Sequence, residues 1–142
     1  MVPEEGLRVL VAVDGSVHGE KALRKATLLA LSSPSYEMAV VYVVEGGGFA
    51  TLTAEEDLGE MEERGRQVLR SSLDVLASEG VTATTVLLHG PPVTRILEFA
   101  ETFRPNLIVT GSKGMGAAKG PPVGSVASGL SRRASVSVLI VR

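Results

Sequence analysis

The sequence predicts an α/β protein: a single three-layer domain with a mostly parallel sheet of five strands and four helices on its two faces. Two observations lead to this fold class. Short, nearly unbroken runs of Val, Leu and Ile alternate along the chain with stretches whose apolar residues recur at helical spacing. The chain has 142 residues, about the size of one domain. Such alternation, with right-handed crossovers, is typical of parallel sheets covered on both faces.

The first half of the chain contains two strands and two helices. The apolar run Leu7–Val13 predicts the first strand, because continuous Val/Leu runs suit strands that are buried on both faces. Helical spacing predicts a helix over His18–Leu31, and a second Val-rich run predicts a strand over Met38–Val44. A Thr followed three residues later by Glu56 fits a capping box, which predicts a long helix over Thr53–Ser78.

The second half of the chain continues this alternation. The run Val81–Leu88 predicts the third strand, and Gly90-Pro91-Pro92 then leads into a third helix that reaches about Phe103. Leu107–Thr110 predicts the fourth strand, which stops at a glycine. After a glycine-rich loop, the spacing predicts a short helix over Gly124–Arg133 and a fifth strand over Val136–Val141.

Composition excludes several classes of protein. Lys and Arg total 14 against 16 Asp and Glu, a net charge of -2, which argues against a bulk polyanion binder. There is no cysteine, so disulfides, thiolate catalysis and Cys-ligated metals are excluded. The first five residues are acidic where a signal peptide is basic, and no apolar run approaches the roughly 18 residues of a membrane helix. We therefore expect a soluble, cytoplasmic protein.

Two segments that follow predicted strands carry residues suited to ligand binding. Asp14-Gly15-Ser16 follows the first strand, and the glycine-rich segment 111–125 follows the fourth. In open parallel sheets, ligands bind at the carboxyl edge where the strand order reverses. If the first and fourth strands are neighbours at that point, the two segments face each other across one crevice.

The glycine-rich segment has the properties of a phosphate site. Its glycines let backbone N–H groups converge on an anion without Cβ obstruction. Gly124 and Ser125 stand at a predicted helix start, whose free N–H groups and dipole favour negative charge. Lys113 and Lys119 are the nearest cations. Asp14 would repel a phosphate, so it suits a ribose hydroxyl or a Mg²⁺ ion held beside the phosphates.

Other motif classes are absent or weak. The segment is neither a P-loop nor a dinucleotide fingerprint, so a glycine-rich surface loop without a ligand stays open as an alternative. The two histidines, His18 and His89, are too isolated to indicate a metal site or a general base. No Gly-x-Ser-x-Gly elbow indicates a serine hydrolase. We therefore assign no catalytic residue.

The glycine spacing resembles that of a known family. The chain contains the pattern Gly111-x-x-Gly114, followed by nine residues and then Gly124-Ser125. This pattern is similar to the nucleotide-binding signature of the universal stress protein family. The segment 11–16, Val-Ala-Val-Asp-Gly-Ser, looks like that family's first strand and loop, and the closing Val-Leu-Ile-Val-Arg looks like its last strand. The resemblance covers nearly the whole chain.

This resemblance implies a Rossmann-like fold with strand order 3-2-1-4-5, a homodimer that pairs through the fifth strand, and bound adenine nucleotide, usually ATP. It implies that Asp14 faces the ribose or Mg²⁺. The residues that it implies along the adenine are Ala12, Val13 and Val43. The residues that it implies around the ribose and triphosphate are Gly111, Lys113, Gly114, Gly124, Ser125 and Val126. Thr110, where the family commonly has an apolar residue, completes the expected set.

Three functional hypotheses follow. The favoured one is an ATP-binding, stress-response regulatory or sensing module whose ATP hydrolysis, if any, is slow because no base is placed to activate water. Pro121-Pro122 departs from the family pattern and removes two N–H donors, which favours a nucleotide-free dimeric scaffold that binds protein partners. The third is a nucleotide hydrolase or transferase that uses Asp14 and Mg²⁺.

Overall fold

A computed structural model describes residues 6–45, 55–114 and 123–142, and their strands form one five-stranded sheet. The strands are β1 (Leu7–Ala12), β2 (Tyr36–Val44), β3 (Thr84–His89), β4 (Leu107–Gly111) and β5 (Ser137–Val141). The helices are α1 (Val17–Leu31), α2 (Glu55–Ser78), α3 (Pro92–Phe103) and α4 (Ser125–Arg133). The alternating order of strands and helices is as predicted.

The sheet has the order β3-β2-β1-β4-β5, and each neighbouring pair is parallel. At the centre of the sheet, Val9 of β1 lies opposite Met38 of β2 on one side and Leu107 of β4 on the other. The order 3-2-1-4-5 is therefore confirmed. It makes β1 and β4 neighbours, so the strand order reverses between the two segments that carry the candidate ligand residues.

Two apolar cores cover the two faces of the sheet. Val9 and Val11 of β1 point into one core, which contains the buried faces of α1 and α2. Leu10 points into the other core, together with Ile96 of α3 and Leu130 of α4. All three β1 residues are fully buried, as expected for a central parallel strand with helices on both sides.

The predicted start of the third strand at Val81 is wrong, because β3 begins only at Thr84. The backbone N–H of Val81 donates to the carbonyl of Leu76, and Gly80 adopts a left-handed conformation with φ +74°. This is the Schellman arrangement, in which the residue after the helix-ending glycine folds back on the last turn. Val81 is buried as part of the α2 terminus, and its apolar character reflects that role.

Other element ends differ from the prediction by one or two residues. Ser16 caps α1, since its hydroxyl accepts from the N–H of Gly19 at 3.1 Å, and the helix therefore begins at Val17. The fourth strand was predicted to stop before Gly111. In the structure, Gly111 is the last paired residue of β4 and lies opposite Val141. The predictions at Thr53, Lys119 and Pro121-Pro122 lie outside the described residues. None of the helices in the described ranges is long and apolar enough to cross a membrane.

Candidate functional site

A cavity of about 520 Å³ lies at the carboxyl edge of the sheet. Its floor is formed by the ends of β1, β2 and β4, and helices α2, α3 and α4 contribute its walls. All of the binding residues indicated by the sequence line it. They are Ala12, Val13, Asp14, Val43, Thr110, Gly111, Lys113, Gly114, Gly124, Ser125 and Val126.

Asp14 is held in place by the turn between β1 and α1. Its Oδ1 accepts a hydrogen bond from the N–H of Ser16 at 2.9 Å, and Gly15 between them takes φ +85°. The carboxylate also packs closely on the first turn of α1, because a Cβ added at Gly19 would lie 2.9 Å from Oδ1. The short turn therefore fixes where this carboxylate enters the cavity.

The glycine-rich loop meets Asp14 from the opposite side. A Cβ added at Gly114 would lie 2.8 Å from Oδ2 of Asp14, so the carboxylate fits only against a residue without a side chain. Gly111 makes a still closer approach, since a Cβ there would lie 2.6 Å from the carbonyl carbon of His18. The absence of side chains at these two glycines lets the ends of β1 and β4 form one narrow crevice.

The start of α4 points its free backbone donors at this crevice. Gly124 is the N-cap residue, and its own N–H donates to the carbonyl of Ser112 at 2.5 Å. The next three residues, Ser125, Val126 and Ala127, line the cavity, and no described residue accepts a hydrogen bond from their N–H groups. The donors available to an anion therefore begin at Ser125, since the N–H of Gly124 is already used by Ser112.

Ser112 connects this helix start to the edge of the sheet. Its carbonyl accepts from Gly124, and its N–H donates to the carbonyl of Val141 at 2.7 Å. Ser112 is itself buried, with 2% of its surface exposed. The glycine-rich loop is thereby anchored to the end of β5 through Ser112.

The opposite end of the cavity contains residues that the sequence motifs did not indicate. Met61 and Arg64, one turn apart on α2, form part of the wall, together with Tyr42 and Glu45 at the end of β2. The start of α3 also lines the cavity, through Pro92, Val93 and Ile96, and Val93 lies against α4, since a Cβ added at Gly129 would be 2.7 Å from its Cγ2. These side chains come from elements that carry no recognisable binding motif, which is why sequence reasoning missed them.

A glycine in α2 explains why this helix reaches the cavity. A Cβ added at Gly65 would lie 2.7 Å from ring carbon Cδ1 of Tyr42 and 2.7 Å from Cδ1 of Leu87. The helix backbone therefore rests directly on the side chains of β2 and β3. A glycine in the middle of a helical apolar stripe is the sequence signal of such an approach, and it would have pointed to its neighbour Arg64.

Charged groups surround the hydroxyl of Tyr42. Burial raises the pKa of Tyr42 above its ordinary value, the Arg64 guanidinium opposes this rise, and the carboxylates of Asp14 and Glu45 add to it. Asp14, Glu45 and Arg64 are therefore each close enough to influence the Tyr42 phenol. Lys113 adds a second cation on the side of the glycine loop.

The metal-binding capacity of the cavity is limited within the described ranges. No cluster of three or more His, Asp or Glu side chains suited to a metal occurs there. Asp14 supplies one hard oxygen donor beside the glycine loop. This fits Mg²⁺, which is usually bound through one or two carboxylates together with substrate phosphates and waters rather than by a complete protein cage.

Parallel α/β sheets with a cavity at the point of strand reversal form a class of proteins that bind ligands at that edge. The model of the "Universal stress protein family" matches residues 7–142 of this chain. The chain belongs to the universal stress protein family.

Individual relatives agree over nearly the full length. The chain is 32% identical over 146 aligned residues to the universal stress protein YxiE of Bacillus subtilis (strain 168), covering 95% of this chain and 98% of that protein. In fold, it is similar to the universal stress protein UspA from Lactobacillus plantarum, with a TM-score of 0.83, 23% identity, and coverage of 96% and 97% of the two chains.

One similar structure contains a nucleotide. The universal stress protein from Archaeoglobus fulgidus, solved in complex with dAMP, is 26% identical to this chain with a TM-score of 0.71. The likeness covers 96% of this chain and 98% of that one. That relative therefore binds an adenine nucleotide on the same fold.

Proposed function

We propose that this protein binds an adenine nucleotide, ATP above all, at the carboxyl edge of its sheet and works as a dimeric stress-response regulatory module. The observation that carries the proposal is the crevice between Asp14 and the glycine loop. In it, a carboxylate and three helix N–H groups, which donate to no residue in the described ranges, face one cavity of about 520 Å³. The dAMP complex of the Archaeoglobus fulgidus relative supports the choice of an adenine nucleotide.

The phosphates are proposed to lie at the start of α4. The N–H groups of Ser125, Val126 and Ala127 supply donors, and the helix dipole favours negative charge at this end. The Ser125 hydroxyl adds a further donor, and Lys113 adds positive charge within the loop. Mg²⁺, when bound, neutralises phosphate charge, and Asp14 is the side chain suited to hold it.

The nucleoside is proposed to extend from there toward β2. Ala12, Val13 and Val43 provide an apolar floor for the base, because they lie at the carboxyl ends of β1 and β2 and line the cavity. Asp14 stands between this floor and the glycine loop, which suits an acceptor for a ribose hydroxyl. Hydrolysis is expected to be slow, since Oδ1 of Asp14 already accepts from Ser16 and no histidine lines the described part of the cavity.

The proposed dimer uses β5. This strand pairs with β4 on one side, and none of the strands in the described ranges pairs with its other side. Val138, Leu139 and Ile140 remain half-buried along it. An apolar edge strand with unpaired backbone groups tends to find a partner strand, and light scattering of the purified protein measures whether two copies associate.

The proposal is tested by releasing small molecules from the denatured protein and by calorimetric titration with Mg-ATP. We expect released adenine nucleotide or saturable binding, and the double variant Gly124→Asp with Ser125→Ala should weaken ATP affinity at least about 10-fold, because it adds an anion where the phosphates would lie. Gly59→Asp is the matched control, since a Cβ at Gly59 meets nothing within 4 Å.

Two results would contradict nucleotide binding. One is a wild-type protein that neither carries a nucleotide nor gives heat with Mg-ATP, and the other is unchanged affinity in the double variant. The first result would favour the nucleotide-free dimeric scaffold, which the two missing N–H donors of Pro121-Pro122 suggest.

A further inference from the structure

The α2 wall of the cavity, formed by Met61 and Arg64, lies outside the glycine motif and outside the residues assigned above. Arg64 differs from the other arginines of its helix. Arg66 pairs with Glu62 at 3.1 Å and Arg70 pairs with Glu63 at 2.9 Å. Within the described part of the chain, Arg64 makes no hydrogen bond or ion pair, although it faces a cavity. Its guanidinium is therefore available to a ligand.

The strand order locates Arg64 at one end of the cavity. Gly65, its neighbour, rests on Tyr42 of β2 and Leu87 of β3, so this part of α2 lies over the β2–β3 side of the sheet. The glycine-rich loop follows β4, and β1 separates β2 from β4. Because neighbouring strands are about 4.8 Å apart, the two ends of the cavity are roughly 10 Å apart. Arg64 thus belongs to the end where the base, not the phosphates, is proposed to lie.

The chemistry of this end suits a flat aromatic ring. Ile96 of α3 packs in one core with Val41 of β2 and lines the cavity, and α2 supplies Met61 and Arg64. A guanidinium is planar, stacks on aromatic faces and attracts their π electrons, and a thioether makes favourable contacts with rings. Burial raises the pKa of the Tyr42 phenol on β2 and the nearby Arg64 guanidinium opposes that rise, which locates the positive charge at this end of the cavity.

We propose that Arg64 is a specificity-determining residue that stacks its guanidinium on the nucleotide base and favours purine over pyrimidine nucleotides. This inference rests on the proposed nucleotide function and deepens it. The larger ring system of a purine offers more stacking area, so Arg64 acts on base preference and leaves the binding of the phosphate chain unchanged.

The test compares three ligands with four proteins by calorimetry. The ligands are Mg-ATP, Mg-CTP and inorganic tripolyphosphate, and the proteins are the wild type, Arg64→Ala, Arg64→Lys and Arg66→Ala. Arg66→Ala is the matched control, because it removes the same charge from the same helix at a residue that does not line the cavity. Urea unfolding of each variant verifies that it is folded, which is expected because Arg64 is exposed.

We expect Arg64→Ala to weaken ATP binding about 3- to 30-fold, the range of a cation–π contact. Its CTP and tripolyphosphate affinities should change less than about 2-fold, so the preference for ATP over CTP falls. Arg64→Lys should recover only part of the ATP affinity, since an ammonium lacks the planar stacking surface. Arg66→Ala should behave as the wild type.

Three outcomes would overturn the inference. Unchanged ATP affinity in Arg64→Ala means that the side chain does not touch the ligand. An equal loss for tripolyphosphate, fully restored by Arg64→Lys, means that Arg64 acts as a charge on the phosphates. Absence of ATP binding by the wild type overturns the proposed function itself, and with it this role, whereas the first two outcomes leave the nucleotide function standing.

Discussion

The two ends of the cavity are built by different means. At the β4–α4 end, the lining groups are mostly backbone: Gly111, Gly114 and Gly124 bring main-chain atoms close together, and α4 adds free N–H groups. At the β2–α2 end, the lining groups are side chains, among them Tyr42 and Arg64. The first end is defined by the absence of side chains, and the second by their presence.

This difference has a physical consequence for how each end tolerates change. Backbone atoms cannot rotate away from an added methyl group, so the glycine end is sensitive to any side chain. Side chains can adopt other rotamers, so a substitution at the α2 end is expected to alter the shape of the cavity only gradually. Ligand preference is thus adjusted more readily at the α2 end without loss of the fold, and three substitutions test this contrast.

The largest effect is expected at Gly111. In Gly111→Ala, the new Cβ would lie 2.6 Å from the carbonyl carbon and 2.7 Å from the carbonyl oxygen of His18. Because these are backbone atoms of α1, the strand end and the helix must separate, and we expect a loss of about 3 kcal/mol in the free energy of unfolding. Urea denaturation followed by circular dichroism measures it.

The control for this variant is Gly59→Ala in α2, where the added Cβ meets nothing within 4 Å. Alanine in a helix interior should stabilise the protein by about 0.5–1 kcal/mol relative to glycine. If Gly111→Ala unfolds at the same urea concentration as the wild type, the crevice is not limited by backbone contact.

An intermediate effect is expected at Gly65. The Cβ of Gly65→Ala would lie 2.7 Å from side-chain carbons of Tyr42 and Leu87, which can move in part. We expect a net loss of about 1 kcal/mol, smaller than at Gly111 because alanine also favours the helix. The helix should shift away from the sheet, so the preference for ATP over CTP should fall while tripolyphosphate binding is kept. A gain in stability like that of Gly59→Ala would contradict the close approach.

The smallest effect on the free energy of unfolding is expected at Tyr42, and it is expected only in alkaline solution. Burial raises the pKa of Tyr42 in the folded protein, with Arg64 opposing the rise and Asp14 and Glu45 adding to it. Between the unfolded and folded pKa values, the unfolded chain loses the phenol proton while the folded protein keeps it. The contribution of Tyr42 to the free energy of unfolding is therefore fully present below its pKa in the unfolded chain. It is lost as the pH rises through its pKa in the folded protein.

Tyr42→Phe removes that titration, so its stability should decline less steeply above about pH 10 than that of the wild type. Urea midpoints measured from pH 7 upward test the slope, and absorbance of the phenolate gives the titration directly, because the chain has only 2 tyrosines. Identical alkaline slopes in the two proteins would show that Tyr42 titrates normally.

Much of the glycine end could be predicted from the sequence. Its residues are close together along the chain, and the rules that connect glycines, helix starts and strand ends to anion sites are local. Asp14 and Gly124 could therefore be named from local rules before their positions were known, and Ala12 from the resemblance to the universal stress protein family. That the available donors begin at Ser125 depends on a hydrogen bond from Gly124 to Ser112 that no spacing rule predicts.

The α2 end could not be predicted in the same way. Arg64 looks like any charged residue of a solvated helix, and it reaches the cavity only because Gly65 lets α2 rest on Tyr42. That contact joins residues far apart in the sequence. The predicted start of β3 was wrong for a related reason. The apolar Val81 packs at the end of α2 and is not part of the strand.

The two hydrogen bonds of Ser112 have a mechanical consequence. They join the last residue of β5 to the N-cap of α4 through one buried residue. Pulling the β5 terminus out of the sheet would strain the N–H of Ser112, and the strain would pass to the Gly124 N–H that its carbonyl holds. A partner that shifts the end of β5 is therefore expected to shift the α4 donors as well, and by linkage an anion bound at those donors would then change the affinity of that partner by the same factor.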